Sequence, residues 1–297
     1  MSKITTIING LLRRSHWYTD ILFPNCKKFL IGQRFNQELV NLGSTTALSA
    51  FNYDGLGICA ANWAMASQSF VNDYAILTNY SSYLKKGATV LITLCPFSSF
   101  GGGNEYFADY YYSVVRPISI PNASLRKRNE VRAMQINPLR YYTFWGFFYD
   151  IKCIFNKKQK QLSAEEMKND AKVWINNWKK EFSIFSLDDD LSLINQDRFN
   201  DSKEALNEIV SFCKTHSFRP VVILPPVSQY LSKMLPANAR EAYINGFMKS
   251  VVEDGVLFLN YLDDPDFLED DLFLNANILN SRGARVFTKR VLRDIQS

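Results

Sequence analysis

Apolar positions along the chain form short unbroken runs, separated by longer stretches whose apolar residues recur at helical spacing. Gln37–Thr45 reads as a buried strand running into a glycine turn at Gly43, and Thr89–Leu94 as a second strand bounded by Gly87 and Pro96. Neither run alternates, which fits parallel strands covered on both faces. Val221–Leu224, halted by Pro225 and Pro226, and Val256–Asn260 repeat the pattern. Helices are predicted within Ile58–Tyr83, near Ser202–Cys213, and over Ala237–Val251, where Ala239, Tyr243 and Phe247 share a stripe. A last helix from Ser281 turns Ala284, Phe287 and Val291 inward. Helix–strand units of this length imply right-handed crossovers, and the fold class is read as α/β, a three-layer αβα sandwich.

Between about 101 and 200 the rhythm lapses. Gly101–Gly103 marks a turn, and the aromatic run YYTFWGFFYDIKCIF follows. Ser163 and Glu166 then form a capping box before a helix that places Met167, Ala171, Trp174, Trp178 and Phe182 on one face. The chain is read as a single domain over 1–297, with 101–200 as an inserted lid or subdomain. For the aromatic segment 141–155 three readings stay open: the core of the insertion, a self-association surface, or a shallow membrane contact.

Composition narrows the class. Apolar residues at 47% and charged residues at 21% exclude disorder for most of the chain. The formal charge of +5 forms no concentrated footprint, so no nucleic-acid partner is expected. Five scattered Cys without a CxxC pair, and only two His, argue against a zinc site; reduced thiols, no metal and no cofactor are the expectation. The first twenty residues make a poor signal peptide, and no run is long enough to cross a bilayer. A cytoplasmic protein without a transmembrane segment is therefore expected.

Ligands of open parallel sheets sit beyond the carboxyl ends of the strands. That singles out Gly43–Thr46, Cys95–Gly103, Pro225–Tyr230 and the stretch from Tyr261 to Ile278. Gly43–Ser44–Thr45–Thr46 offers backbone N–H groups and hydroxyls for an anion or oxyanion, or is a plain structural turn. Phosphate-loop, dinucleotide and HExxH motifs are absent. His216 precedes the Val221–Leu224 strand, at the wrong end of the sheet for a site, and His16 has no partner visible in sequence. Cys95 reads as a nucleophile or a buried inert thiol. The acidic residues Asp263, Asp264, Asp266, Glu269, Asp270 and Asp271 read as a cation site, a general base or a solvated loop.

VNLGSTTA, NWAMASQS, NYSSYLKKGATVLITLCPFSSF, VVILPPVS and NYLDDPDFLEDDLFLNANILNSRGARVFT together resemble blocks of the SGNH hydrolase superfamily, in its DltD-like branch associated with surface-polysaccharide modification. The resemblance covers most of the chain outside the insertion and implies a flavodoxin-like sheet. It also implies esterase, lipase or acyltransferase ancestry. In the last block Leu272, Phe273, Leu279, Asn280, Gly283, Ala284, Phe287 and Thr288 fall in register. That register places Asn275 where the family has its Asp, Ile278 where it has its His, and Thr45 at the nucleophile, with Ser44 beside it. All three triad positions depart from the family's residue types. Isoleucine cannot accept a proton, and even the milder Asp-to-Asn change costs the serine protease triad about 10⁴ in rate. The resemblance thus implies a pseudoenzyme that binds a carbohydrate or activated-sugar ligand in polysaccharide biosynthesis or modification, with Gly43, Asn62 and Ser98 as ligand-binding candidates. The alternative is an esterase or O-acyltransferase with a rearranged site.

Overall fold

The computed structural model describes residues 2–101, 107–155, 161–188, 191–251 and 256–296. Gly102 and Gly103 of the expected turn lie outside them. In chain order, α1 (Lys3–Leu12) and α2 (Cys26–Gly32) precede β1 (Gln37–Leu42). Then α3 (Thr45–Ala50) leads to β2 (Ala60–Asn62), and α4 (Phe70–Tyr80) to β3 (Leu84–Thr93). Helices α5 (Leu125–Ile136), α6 (Phe144–Phe155), α7 (Ala164–Glu181) and α8 (Leu193–Thr215) come before β4 (Arg219–Leu224). Helices α9 (Gln229–Ser232), α10 (Ala237–Arg240) and α11 (Gly246–Val251) lead to β5 (Leu257–Asn260). A hairpin of β6 (Phe273–Asn275) and β7 (Ile278–Leu279) precedes α12 (Ser281–Asp294).

The chain divides into two compact units. Residues 1–33 join 105–160 in the first, and 34–104 join 161–297 in the second. This division departs from an insertion over 101–200. The capping box of Ser163 and Glu166 does start a helix, but that helix, α7, belongs to the second unit, where it packs on α9 and β6. Its buried Met167, Ala171, Ile175 and Trp178 recur at helical spacing, and such a face serves any core that the helix meets.

The second unit is an α/β sandwich on a five-stranded sheet of order β2-β1-β3-β4-β5, parallel throughout. The chain steps outward from β1 to β2, then crosses back to β3 on the other side of β1. Right-handed crossovers in opposite directions put the connecting helices on opposite faces. One face carries α3 and α12, which pack together; the other carries α4, α8 and α11. Strand residues Val40, Leu42, Val90, Ile92, Val222 and Leu224 are fully buried between these layers. The sheet order reverses between β1 and β3, and their carboxyl ends flank the crevice where such sheets take ligands.

Strand boundaries differ from the sequence reading: β4 begins at Arg219 and not Val221, β5 at Leu257 and not Val256, and β3 ends at Thr93 and not Leu94. β3 begins at Leu84, ahead of Gly87, because the pairing slips between Gln37 and Leu39 and Gly87 adopts φ 78° within that irregularity. The three-residue β2 carries too little pattern to be read from sequence. The first unit is helical in its described residues. Asn9 of α1 bonds to Asn137 and to the Leu139 N–H, and Trp17 packs edge-on to Tyr142 at 5.0 Å.

Candidate functional site

Gly43 ends β1 at φ 124°, which glycine adopts without strain. A Cβ there would stand 2.8 Å from both Ala47 Cβ and the Thr93 carbonyl oxygen, so the close approach of β3 also requires glycine. The Gly43 N–H donates to Asp73 Oδ1 at 2.8 Å. Asp73 also accepts from the Gln68 amide, and Gln68 Oε1 accepts from the Met65 N–H at 2.6 Å. Burial pushes the Asp73 carboxyl up to about 7, against the lowering effect of the Gln68 and Gly43 hydrogen bonds. Sequence reading missed Asp73, since an aspartate inside a predicted helix carries no sign of full burial.

The two halves of the candidate site meet at one direct bond. Ser44 and Thr45 are half-buried at the start of α3, and Ser44 Oγ accepts from the Gln68 N–H at 3.4 Å. The next residue, Thr46, is buried and accepts from Asn277 Nδ2 at 3.3 Å. Asn275 closes the hairpin turn, its Oδ1 accepting from the Asn277 and Ile278 N–H groups at 3.0 Å each. Ile278 is buried. Asp170 of α7 accepts from the Ala276 N–H at 2.9 Å, and the Ser228 N–H donates to the Ala276 carbonyl at 2.9 Å. The hairpin is thereby fixed from three sides.

Asn62 and Ser98 are occupied by local ties. Asn62 donates to the Ala47 and Leu48 carbonyls, while its Oδ1 accepts from Asn41 Nδ2 and the Ala64 N–H. Ser98 Oγ accepts from the Cys95 N–H at 2.8 Å and lies 3.4 Å from Cys95 Sγ. Burial raises the Cys95 thiol pKa, which disfavours the nucleophilic thiolate.

The second unit's histidine does not stand at the carboxyl ends of its strands. His216 caps α8 ahead of β4, stacked on Phe212 at 3.9 Å. His16 is in the first unit, paired with Asp20 at 3.0 Å. With Cys153 these two form the one group of three potential metal ligands among the described residues, their donor atoms within 4.8 Å of one another. The acidic run is matched by arginines: Asp263 pairs with Arg240, Asp264 and Asp266 with Arg290, and Asp271 with Arg282.

The carboxyl-terminal block has a structural account of its own. Asn280 caps α12, accepting from the Arg282 and Gly283 N–H groups and donating to the Asp271 carbonyl. A methyl group on Gly283 would overlap the Leu272 carbonyl oxygen. Thr288 Oγ1 accepts from the Asn52 N–H at 2.9 Å and donates to the Ala284 carbonyl.

Among the described residues, the buried polar atoms without a hydrogen-bond partner include Thr93 Oγ1, Ser99 Oγ, Asn277 Oδ1 and Trp63 Nε1 near the carboxyl ends of the sheet. Thr93 ends β3 beside β1, Ser99 lies in the turn after β3 that packs on α8, and Asn277 is the residue bonded to Thr46. An unpaired buried polar atom costs about 1–3 kcal/mol. Neither a protein-family model nor a curated protein matches this chain. The likeness to SGNH hydrolases therefore rests on the motif register alone.

Proposed function

We propose that the strand ends of the second unit bind an uncharged, hydroxyl-rich ligand, a carbohydrate or the sugar part of an activated sugar, without Ser-Asp-His chemistry. The observation that carries this reading is that Thr93, Ser99 and Asn277, on segments at the carboxyl side of the sheet, each hold a buried polar atom without a partner among the described residues. Hydroxyls and an amide oxygen match sugar hydroxyls, which donate and accept at once. The half-buried Ser44, Thr45 and Asn275 lie on segments that leave the same side of the sheet, and the unit's single imidazole lies before β4. A role in polysaccharide biosynthesis or modification rests on the SGNH-like motifs. The five unpaired cysteines fit a reducing, cytoplasmic setting.

The test is isothermal titration with neutral oligosaccharides and nucleotide sugars, comparing wild type with Thr93→Val/Ser99→Ala. Removing unpaired buried hydroxyls should leave stability equal or higher while weakening sugar binding roughly tenfold. Unchanged affinity in the variant, or no sugar bound by the wild type, sinks the reading. A second reading, an esterase or O-acyltransferase with a rearranged site, is favoured by Asp73, whose carboxyl titrates near neutrality beside the Gly43 turn. Turnover of an aryl acetate or acetylated sugar, abolished by Ser44→Ala or Asp73→Asn, would establish it instead.

A further inference from the structure

The first unit contains less than a third of the chain, yet among the described residues it holds sixteen of the twenty-three large hydrophobic side chains that stand exposed. On α6, Phe144, Phe147, Phe148, Ile154 and Phe155 crowd the outer side, with Trp145 82% exposed beside them. That side is not left open by loose packing. The inner side of α6 is anchored: Gly146 sits against the Trp17 ring, and Asp150 accepts from the Trp17 N–H at 2.7 Å and the Tyr142 hydroxyl at 2.8 Å. Helix α1 repeats the arrangement, burying Asn9 and Leu12 and exposing Ile4, Ile7 and Leu11 at helical spacing. Helix α2 buries Cys26 and Phe29 and exposes Lys27, Lys28, Leu30 and Ile31.

Charge is divided the same way. By sequence the first unit carries 15 Lys and Arg against 5 Asp and Glu, a net +10, and the second carries 19 against 24, a net −5. The modest +5 of the whole chain hides this polarity. An open cleft of about 410 Å³, lined by Thr19, Asp20, Asn25, Lys27, Lys28 and Ile31, sets two ammonium groups beside an exposed aliphatic side chain.

We infer that the first unit docks on the surface of an anionic phospholipid membrane, seating the apolar sides of α6 and α1 among the headgroups and acyl chains while its lysines and arginines meet lipid phosphates. A lipid surface takes both features at once: buried apolar area and cationic attraction add in interfacial binding. A second copy would bring two units of +10 face to face, and a nucleic acid would leave the aromatic side of α6 in water. No helix of the described residues is long and apolar enough to cross a membrane, so the contact is one of lying on the surface.

The full-length protein should co-sediment with vesicles of phosphatidylcholine mixed with phosphatidylglycerol, more weakly with phosphatidylcholine alone, and less as salt is raised. Trp145→Ser/Phe155→Ser changes two side chains that are 82% and 79% exposed, so the melting temperature should hold while vesicle affinity falls about tenfold or more. Lys27→Glu/Lys28→Glu should weaken binding to anionic vesicles selectively. Absence of vesicle binding overturns the inference. So does concentration-dependent dimerisation in sedimentation velocity that Trp145→Ser/Phe155→Ser abolishes while vesicle binding stays unchanged. Binding to nucleic acid in place of vesicles also overturns it.

Discussion

Asp73 is held protonated toward neutrality by burial, and this has a signed consequence for stability. Its carboxyl titrates near 7 in the folded protein, against an ordinary value of 3.8. Below about pH 4 it is neutral whether the chain is folded or not. Between about pH 4 and 7 the unfolded chain releases this proton and the folded chain keeps it, so the group's contribution to stability falls as pH rises. Asp73→Asn keeps an oxygen to accept from the Gly43 N–H and the Gln68 amide, and it cannot ionise. Chemical denaturation across pH should show the variant matching wild type near pH 4 and exceeding it by on the order of 4 kcal/mol above pH 7. Equal stability at both ends would show that the folded carboxyl ionises normally. Legibility at this scale was uneven. Gly43, Ser44 and Thr45 stand out as a short polar string after an apolar run, but Asp73 matters through burial, and Thr93, Ser99 and Asn277 through burial and unpartnered atoms, which sequence does not encode locally. Asn62 and Ser98 were visible as polar residues near strand ends; their many backbone bonds were not.

The hairpin of β6 and β7 with the start of α12 forms one tightly specified element. Asn275 closes its turn, Asn280 caps the helix, and Gly283 lets the helix lie directly on the Leu272 carbonyl. Gly283→Ala should therefore destabilise the protein by about 3 kcal/mol, since the atom opposing the new methyl is backbone and cannot swing away as a side chain would. A denaturation midpoint within error of wild type would mean that the hairpin yields. The long elements were legible from periodicity: α12 with Ala284, Phe287 and Val291 inward, α7 from its capping box, and the unalternating β1 and β4. The helix expected over 237–251 is continuous in the chain but widens at 241–245, where Gly246 admits the Glu241 carbonyl. β2 escaped because it is three residues long and gains its identity only by pairing with Leu39–Asn41. The β6–β7 hairpin escaped for the same reason.

At the scale of the molecule, sequence reading noticed where the strand–helix rhythm lapsed but could not tell which core the flanking helices would join. α7 resembles any amphipathic helix, and only packing assigns it to the second unit, just as only packing joins residues 1–33 to 105–160. The same grouping turns a bland total charge into two units of opposite sign, and scattered aromatics into one exposed helix side. If one unit reads a membrane surface and the other a sugar, the two sets of substitutions should act independently. Changes far apart with no shared partners add to within about 0.5 kcal/mol. Trp145→Ser/Phe155→Ser should lower vesicle affinity and leave sugar affinity as it was, and Thr93→Val/Ser99→Ala should do the reverse. The combined variant, measured by titration with sugar and by vesicle sedimentation, should show the two losses and no more. A combined loss larger than that sum would mean that seating on the membrane changes the strand-end site, and the two activities would then be coupled through the fold.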